Sequence, residues 1–453
     1  MKSQRKPYLS TTQIILLSFL GVILIGSVLL SLPVSSAGGR AVPYIDALFT
    51  ATTATCVTGL VTVSTAATWS VFGQAVILLL IQIGGLGIIT FMTAVMLLFN
   101  RKIGISDRLL IQDAFNLSTL SGIVAFVKKV LIGTLTVESI GACFYMTVFV
   151  PQFGARGIWV SVFNSVSAFC NAGMDIIGEN SLCDYSGNAL ITLTTAALII
   201  LGGLGYIVWW DVSRVIKNCK QNGGRFFKSL TLHSKIVLIS TAFLLIVGTA
   251  LTLCFEYNNP LTLAGLPMTD KIQAAFFQSV TTRTAGFASL PQENLTNPTA
   301  ILSLLLMFIG GSPVGTAGGI KTVTAAVLLS ITVSLISGKN SVSLFGRTIS
   351  KQSVYKAVAV TVMSFSVMFV STLLLSAVTN APALDILFET VSAAATVGLS
   401  RSLTGALNLL GKLIIIFTMY FGRVGPISIA IAFGGKNPSR NIIKNPTEEI
   451  SIG

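Results

Sequence analysis

The sequence contains eight apolar runs that are each long enough to cross a lipid bilayer as a helix, and this feature limits the possible folds most strongly. The runs lie near residues 13–32, 71–98, 123–150, 188–210, 235–257, 300–336, 354–378 and 405–433. A helix of about 20 apolar residues spans the hydrocarbon core of a bilayer. Only 10% of the 453 residues are charged, whereas a soluble domain carries about 25%. The sequence therefore predicts an all-α polytopic membrane protein.

The first run could alternatively be a signal peptide, because Lys2, Arg5 and Lys6 precede it and small residues follow it. Its apolar stretch is longer than the roughly 7–15 residues that are usual in signal peptides. A retained first helix is therefore the favoured interpretation.

The sixth run, residues 300–336, is too long to form one helix across a bilayer. As a single helix it would extend about 55 Å, far more than the hydrocarbon core requires. Its centre holds a cluster of glycine, proline and small polar residues, namely Gly310, Gly311, Ser312, Pro313, Gly315, Thr316, Gly318 and Gly319. Irregular backbone persists at membrane depth only where protein or a water-filled cavity covers it. A pore-facing interruption is predicted here, and a simple kink between packed helices is the alternative.

A six-residue phrase with glycine at its fifth position recurs four times, once between the two runs of each successive pair, at residues 55–60, 169–174, 282–287 and 394–399. The glycines are separated by 114, 113 and 112 residues, and they are Gly59, Gly173, Gly286 and Gly398. A phenylalanine stands ten residues before each of them, at Phe49, Phe163, Phe276 and Phe388. Such recurrence indicates an internal repeat rather than four unrelated turns. The predicted repeats are residues 1–100, 101–220, 221–338 and 339–453, of which the last includes a cytoplasmic C-terminal tail.

Each repeat is predicted to consist of a span, a re-entrant segment and a second span. The re-entrant segment begins with about ten residues that suit a short helix entering the membrane. Asp46 and Asp385 lie near the start of two of these helices, where a carboxylate can cap free N–H groups. Four such segments around one axis would line a pore with carbonyl oxygens and helix C-termini, which together can replace the hydration shell of a small cation.

Clusters of glycine also recur in the second span of each repeat. The first two copies read Gly84-Gly85-Leu86-Gly87 and Gly202-Gly203-Leu204-Gly205, and the fourth reads Gly422-Arg423-Val424-Gly425. Glycine allows helices to approach one another closely. Close packing of unbroken helices is therefore the interpretation kept for the first two copies.

At the four repeated phrases the chain resembles the Ktr/Trk/HKT superfamily of potassium transporters, and within it the membrane subunits of the Ktr type. The resemblance covers essentially the whole chain. Its most specific parts are residues 279–287, which include the third phrase, the glycine-rich break in the third repeat, and Arg423 in the fourth. No additional pair of spans precedes the first repeat, and this favours the Ktr type over the longer Trk type.

The resemblance implies K⁺ uptake through a selectivity filter of backbone carbonyls, with the four repeated glycines shaping the filter. The implied carbonyls belong to the residues before each glycine, namely Val57, Thr58, Asn171, Ala172, Thr284, Ala285, Thr396 and Val397. Plant relatives with serine at the first glycine position prefer sodium, so Gly59 favours potassium here. The loop at residues 310–319 would be a gate below the filter, with Arg423 projecting beneath it.

The resemblance also implies partners. It predicts a homodimer in the bacterial plasma membrane, surrounded by lipid, with one pore per protomer and a cytosolic ring of nucleotide-binding subunits of the KtrA (RCK) type. The chain has no G-x-G-x-x-G motif of its own, so nucleotide sensing would require that ring. K⁺ is the only metal ion expected, and neither an organic cofactor nor nucleic acid is expected.

Four isolated charges within or near the spans are candidates for function, because ionisable groups in a membrane are costly. Lys321 is predicted to extend towards the cytoplasmic surface, and Glu138 to form a buried hydrogen-bonded pair rather than a proton-coupling site. Arg283 is predicted to support the filter by pairing with a carboxylate such as Glu389. Arg423 is predicted to act in gating or as an electrostatic barrier.

Two other classes of function are weighed against a passive pore. A coupled secondary transporter, driven by Na⁺ or H⁺ through alternating access, would also contain interrupted helices, but four similar units favour a channel-like pore. A membrane-embedded enzyme is disfavoured, because the sequence contains no H-E-x-x-H or G-x-S-x-G motif.

The net charge of +14 predicts the orientation of the chain in the membrane. Most lysines and arginines fall in segments 1–12, 99–129, 211–235, 337–356 and 434–453. Basic segments remain on the cytoplasmic side, so both termini are predicted to be cytoplasmic. The outer mouth is then mildly acidic, which favours the accumulation of cations.

Overall fold

The computed structural model describes residues 10–99, 104–115, 122–218, 226–339 and 341–433. Its helices are grouped here by the four predicted repeats. The first repeat contains α1 (Thr11–Ser31), α2 (Tyr44–Cys56), α3 (Thr65–Thr68), α4 (Val71–Leu86) and α5 (Ile88–Leu98). The second contains α6 (Ile105–Phe115), α7 (Ile123–Phe153), α8 (Ala155–Cys170), α9 (Ala189–Leu204) and α10 (Tyr206–Lys217).

The third and fourth repeats follow the same order of elements. The third contains α11 (Phe226–Ser229), α12 (Leu232–Glu256), α13 (Met268–Thr281), α14 (Asn297–Phe308) and α15 (Thr322–Ile336). A short antiparallel hairpin, β1 (Ser343–Leu344) with β2 (Arg347–Thr348), precedes α16 (Lys351–Val378), α17 (Ala383–Ala395), α18 (Leu409–Val424) and α19 (Pro426–Phe433). Short 3₁₀ helices occupy Pro33–Ser35, Cys183–Tyr185, Gln292–Asn294 and Thr404–Ala406. The all-α prediction is confirmed, and the predicted C-terminal tail lies outside the described residues.

Each repeat has one long, unbroken helix of 21 to 31 residues, and these helices are α1, α7, α12 and α16. Side chains cap the starts of three of them. Ser10 and Gln13 form a capping box at the start of α1, and Thr231 and Ser350 accept backbone N–H groups at the starts of α12 and α16. Each cap satisfies a donor that the helix itself cannot pair. These helices form the outer supports against which the short re-entrant helices pack.

The re-entrant helices α2, α8, α13 and α17 are 13 to 16 residues long, somewhat longer than the predicted ten. Three of the repeated phenylalanines, Phe49, Phe163 and Phe388, are fully buried within the protein. Each anchors one short helix in the core, about ten residues before the glycine that the sequence repeats. Three of the four short helices are therefore packed into the core through this phenylalanine.

The second span of each repeat is divided into two helices, and this corrects the prediction that only the sixth run is interrupted. The helix pair α4–α5 is bent by 102° and the pair α9–α10 by 96°. By length and composition, three of the described helices (α1, α12 and α16) could each cross a membrane, or up to five if each bent pair is one span. The interruption predicted in the sixth run is confirmed, since α14 ends at Phe308 and α15 begins at Thr322.

The breaks arise at the last glycine of each recurring cluster. Gly87, Gly205 and Gly425 have φ values of 83°, 85° and 89°, with ψ near the extended range. Residues with a Cβ rarely adopt this conformation. The packing interpretation of the first two clusters is therefore wrong for Gly87 and Gly205, although the first glycine of each cluster does pack closely against a backbone carbonyl.

Candidate functional site

The four repeated glycines meet around one axis. A Cβ atom placed on Gly59 would lie 2.6 Å from the carbonyl oxygen of Ala172 and 3.2 Å from the Cα of Gly398. The same relation holds at all four positions. Each glycine faces the carbonyl oxygen of the residue that directly precedes the next repeated glycine. The four contacts around the ring are Gly59 with Ala172, Gly173 with Ala285, Gly286 with Val397, and Gly398 with Thr58. Only glycine fits at any of these positions, and the ring places carbonyl oxygens next to a narrow axis.

The residue two places before each glycine has a left-handed backbone in all four phrases. These residues are not glycine, and they are Val57, Asn171, Thr284 and Thr396, with φ between 51° and 65°. Such a conformation costs free energy on the order of 1 kcal/mol or more, and it persists only where the surroundings enforce it. Its recurrence at four equivalent positions shows that one loop geometry is built four times from different side chains.

A buried hydroxyl at the end of each short helix holds the loop that follows. The oxygen Oγ1 of Thr53 accepts the backbone N–H of Gly59 at 2.9 Å, and Oγ of Ser392 accepts that of Gly398 at 3.0 Å. In the other two repeats the hydroxyl bonds to the residue after the glycine, as Ser167 does with Met174 and Thr281 with Phe287. Sequence reasoning missed this set, although a hydroxyl residue stands six places before the glycine in three of the four phrases.

A cavity of about 550 Å³ opens on the side of the ring formed by the residues that follow the glycines. All four repeated glycines line it, together with the carboxyl groups of Asp175, Glu179 and Glu293. Burial raises the pKa of Asp175 to about 6. Within the described ranges no group of three or more His, Cys, Asp or Glu side chains could hold a metal ion.

The loop between α14 and α15 lies on the other side of the ring. Its backbone is bonded to the break in the second repeat, since the N–H groups of Ser312 and Thr316 donate to the carbonyls of Gly203 and Gly202 at 2.9 and 3.2 Å. The N–H of Tyr206, the first residue of α10, donates in return to the carbonyl of Val314 at 3.0 Å. The loop is thus an ordered part of the fold, paired with one of the broken helices.

The same loop contacts the ends of three short helices. Thr316 donates its hydroxyl to the carbonyl of Phe169 at 3.0 Å, and the N–H of Gly318 donates to the hydroxyl of Thr284 at 3.2 Å. A Cβ on Gly318 would lie 2.7 Å from the carbonyl oxygen of Ala395. The loop therefore contacts residues that precede the repeated glycines, whereas the cavity of about 550 Å³ is lined by residues that follow them.

Arg423 joins the loop to the first repeat. Its guanidinium donates one hydrogen bond to the carbonyl of Thr316, at 2.6 Å, and another to the carbonyl of Gly84. The ammonium of Lys321 donates to the carbonyl of Ala317 at 2.6 Å, so the predicted extension of Lys321 to the surface is wrong. Arg423 and Lys321 line both of two cavities beside the loop, of about 290 and 280 Å³, and they make this side of the ring positively charged.

The partner predicted for Arg283 is wrong. The buried guanidinium of Arg283 donates to the hydroxyl of Thr241 on α12 at 3.2 Å. Glu389 instead accepts the hydroxyls of Ser400 and Thr404, and among the described residues no ion pair joins it to Arg283. Arg283 thus links the third phrase to α12, the long helix of its own repeat.

The capping role predicted for Asp46 and Asp385 is also wrong. Each lies in the first turn of its short helix, but neither forms a cap with its side chain. Asp46 accepts from Lys412 at 2.6 Å and Asp385 from Arg401 at 2.7 Å, because a basic side chain elsewhere in the fold reaches each carboxylate. By contrast Glu138 is buried and accepts a hydrogen bond from Gln82 at 3.3 Å, as predicted.

Two glycines at equivalent breaks give a matched test of the contact between the loop and the second repeat. A Cβ at Gly87 meets no atom within 4 Å, whereas a Cβ at Gly205 collides with the carbonyl oxygen of Pro313 in the loop. Both alanine variants carry a similar backbone strain of about 1–2 kcal/mol. We expect Gly205→Ala to lower the melting temperature of the purified protein by several degrees more than Gly87→Ala. Equal shifts in a thermal unfolding assay would contradict the observed contact.

Comparison with known proteins identifies the family. The sequence profile of the TrkH family, described as "Cation transport protein", matches residues 4–445. The "Ktr system potassium uptake protein B" of Bacillus subtilis is 40% identical, over 97% of this chain and 96% of its own length. The "Potassium/sodium uptake protein NtpJ" of Enterococcus hirae is also 40% identical, over 100% and 99% of the two chains.

A solved structure shares the fold. The crystal structure of the potassium transporter TrkH from Vibrio parahaemolyticus matches with a TM-score of 0.74 and 17% identity, over 96% of this chain and 87% of that one. The resemblance stated from the repeated phrases is thereby confirmed at the level of the family and the fold. The chain belongs to the TrkH family of cation transport proteins, which are not enzymes.

Proposed function

We propose that this chain takes up K⁺ across the bacterial plasma membrane through a filter of backbone carbonyls. The observation that carries the proposal is the ring of four glycines, in which each glycine lies against the carbonyl oxygen of the neighbouring phrase. The relatives that match over nearly the whole chain are named as potassium, or potassium and sodium, uptake proteins. Family membership and site geometry therefore support the same function.

The carbonyl oxygens of the two residues before each glycine replace the water around the ion. Carbonyl dipoles compensate dehydration of a monovalent cation without binding it so tightly that it cannot leave. The C-termini of the four short helices point their negative ends at the same region. The proposed ligands are the carbonyls of Val57, Thr58, Asn171, Ala172, Thr284, Ala285, Thr396 and Val397.

The loop at residues 310–319 is the proposed gate. Its contacts with Phe169, Thr284 and Ala395 place it against the ends of three short helices. Arg423 holds it through the carbonyl of Thr316. A positive charge on this side of a cation filter raises the electrostatic barrier for K⁺. Displacement of the loop and of the Arg423 guanidinium would remove both obstacles together.

The proposal also includes the assembly that the family resemblance implies. The chain forms a homodimer with one pore in each protomer, and it docks on a cytosolic ring of nucleotide-binding RCK subunits. Both termini lie in the cytoplasm, in agreement with the basic segments predicted to be on that side. The four repeats, bounded at residues 100, 220 and 338, surround each pore.

Flux measurements in liposomes test the proposal. With an inward gradient of K⁺ and no gradient of Na⁺ or protons, we expect the purified chain to pass ⁸⁶Rb⁺ down its gradient. An absolute requirement for a Na⁺ or proton gradient would instead support the coupled transporter. Competition by Na⁺ should be measured in the same vesicles, because one relative is named for both ions.

Asp175 gives the outer mouth a predicted dependence on pH. Burial raises its pKa to about 6, so the carboxyl is ionised above that pH and neutral below it. We expect the apparent affinity for external K⁺ to fall about two- to threefold between pH 7.5 and 5, as one nearby negative charge is lost. The Asp175→Asn variant should show the lower K⁺ affinity at both pH 7.5 and pH 5, with no change between them. An unchanged pH profile in that variant would contradict the assignment.

A further inference from the structure

Glu389 is a buried carboxyl group that the gate and the ring of carbonyls do not use. It lies on α17, nine residues before Gly398, and its side chain is fully buried. Its oxygen Oε2 accepts the hydroxyl of Ser400 at 2.7 Å, and Oε1 accepts the hydroxyl of Thr404. The backbone N–H of Thr404 also donates to the Ser400 hydroxyl, at 3.4 Å. One carboxyl group thus holds two points of the segment that follows the fourth phrase.

That segment forms part of the outer mouth. Ser400 and Thr404 both line the outer cavity, together with the four repeated glycines. Ser400 is only two residues after Gly398, and the N–H of Gly398 is itself held by Ser392 on the same helix. The fourth phrase is therefore fixed to α17 on both sides of its glycine, by a hydroxyl before it and by the carboxyl of Glu389 after it.

A buried carboxyl without a cation is costly unless it has strong hydrogen bonds. Among the described residues the ion pairs join Asp211 to Arg214, Asp385 to Arg401 and Asp46 to Lys412, and none of them includes Glu389. The hydroxyls of Ser400 and Thr404 each donate to one oxygen of the carboxyl group, so neither oxygen is buried without a hydrogen-bond partner. The cost of burial is thus offset by firm attachment of the segment.

The arrangement belongs to the fourth repeat. The equivalent positions on the other short helices, nine residues before the glycine, are Thr50, Asn164 and Phe277. In the third repeat two neutral side chains connect the corresponding segment to its short helix. The side-chain amides of Gln278 on α13 and Gln292 after the third phrase exchange hydrogen bonds at 2.8 and 3.0 Å. The surroundings of the four phrases therefore differ, and only the fourth phrase is held by a carboxyl group at this position.

We propose that Glu389 is a positioning residue for ion selectivity, which holds the outer end of the fourth phrase at the spacing that prefers K⁺ over Na⁺. The inference rests on the proposed filter and adds a residue that does not touch the ion. If this end were loosened, the fourth phrase could close around the smaller Na⁺ ion, or Na⁺ could pass while it is still hydrated. Discrimination between the two ions should then change more than the maximal rate of transport.

Variants in liposomes test the inference through ⁸⁶Rb⁺ uptake and its inhibition by Na⁺. We expect Glu389→Gln and Thr404→Val each to reduce the preference for Rb⁺ over Na⁺ about tenfold, with maximal rates within about twofold of the parent. Thr404→Ser keeps the hydroxyl and should behave as the parent does. Ser376→Ala removes a hydroxyl on α16 that bonds only to its own helix, and it serves as the matched control.

A double variant separates positioning from general damage. Because the carboxyl and the Thr404 hydroxyl act as one unit, Glu389→Gln with Thr404→Val should be no worse than the stronger single variant. Additive losses, an unchanged ion preference, or parallel losses in every variant including Thr404→Ser would overturn the inference. If Glu389→Gln does not fold, the two Thr404 variants decide the question alone. A parent protein without any preference for Rb⁺ over Na⁺ would overturn the proposed filter itself.

Discussion

Replacing Gly59 with serine is expected to lower K⁺ transport at least tenfold and to shift the preference towards Na⁺. Gly59 has a φ of +98°, and a Cβ there would lie 2.6 Å from the Ala172 carbonyl oxygen and 3.1 Å from the Cα of Gly173. The variant carries backbone strain of about 1–3 kcal/mol and narrows the axis of the ring. A narrower axis should slow the larger K⁺ ion more than the smaller Na⁺ ion. Uptake of ⁸⁶Rb⁺ and ²²Na⁺ by the same vesicles measures both effects.

A glycine of the outer mouth provides the matched control for this substitution. Gly405 lines the same cavity as Gly59, but a Cβ there meets no atom within 4 Å and its φ is not in the left-handed range. Gly405→Ser should leave the transport rate and the ion preference within about twofold of the parent. An equal effect of both substitutions, or no effect of Gly59→Ser on ion preference, would show that the ring of glycines is not the filter.

Removal of residues 311–318 is expected to raise the K⁺ flux about tenfold or more by deleting the proposed gate. The two ends of the deletion are already in contact, since a Cβ on Gly310 would lie 3.0 Å from the Cα of Gly319. The N–H of Ile320 also donates to the carbonyl of Phe308 at 3.1 Å. The shortened chain can therefore close with little displacement of α14 and α15. Initial rates of ⁸⁶Rb⁺ entry into liposomes measure the change.

Arg423→Gln tests the same gate without a deletion. The substitution removes the charge and weakens the bonds to the carbonyls of Thr316 and Gly84. We expect it to raise the flux by a smaller factor, on the order of threefold, because the loop keeps its backbone bonds to Gly202 and Gly203. A lower or unchanged flux in both variants, at normal folding and membrane content, would contradict the assignment of the loop as a gate.

Features that recur in the sequence are predicted well because the fold repeats them. The four glycines and the phenylalanines ten residues earlier are visible as a repeat, and they locate the short helices and the ring in which those helices end. The interruption at residues 310–319 is also predictable, because a proline and five glycines within ten residues cannot form a regular helix. The interruption is predictable because it depends on local backbone chemistry.

The breaks at Gly87, Gly205 and Gly425 could not be separated from close packing by sequence alone. Both situations select glycine, and both occur within one cluster. Gly84 packs against the carbonyl of Thr55, whereas Gly87 three residues later breaks the helix. Only the backbone angle distinguishes the two uses, and the apolar sequence on each side continues without a change in composition.

The partners of buried charges were the least predictable part of the site. Arg283 bonds to Thr241, and Glu389 to Ser400 and Thr404, whereas opposite charge alone suggested that the two would pair. Hydroxyl groups are numerous in this chain and give no sequence signal as partners. Which of them reaches a given charge is decided by the packing of α12 and α17.

The location of a bound ion tests the central claim most directly. A crystal structure of the protein soaked in Rb⁺ or Tl⁺ would show such an ion by its anomalous scattering. The account predicts a peak on the axis of the ring, within about 3 Å of carbonyl oxygens from all four phrases. The absence of a peak there, together with a peak elsewhere in the membrane-embedded part of the protein, would contradict it.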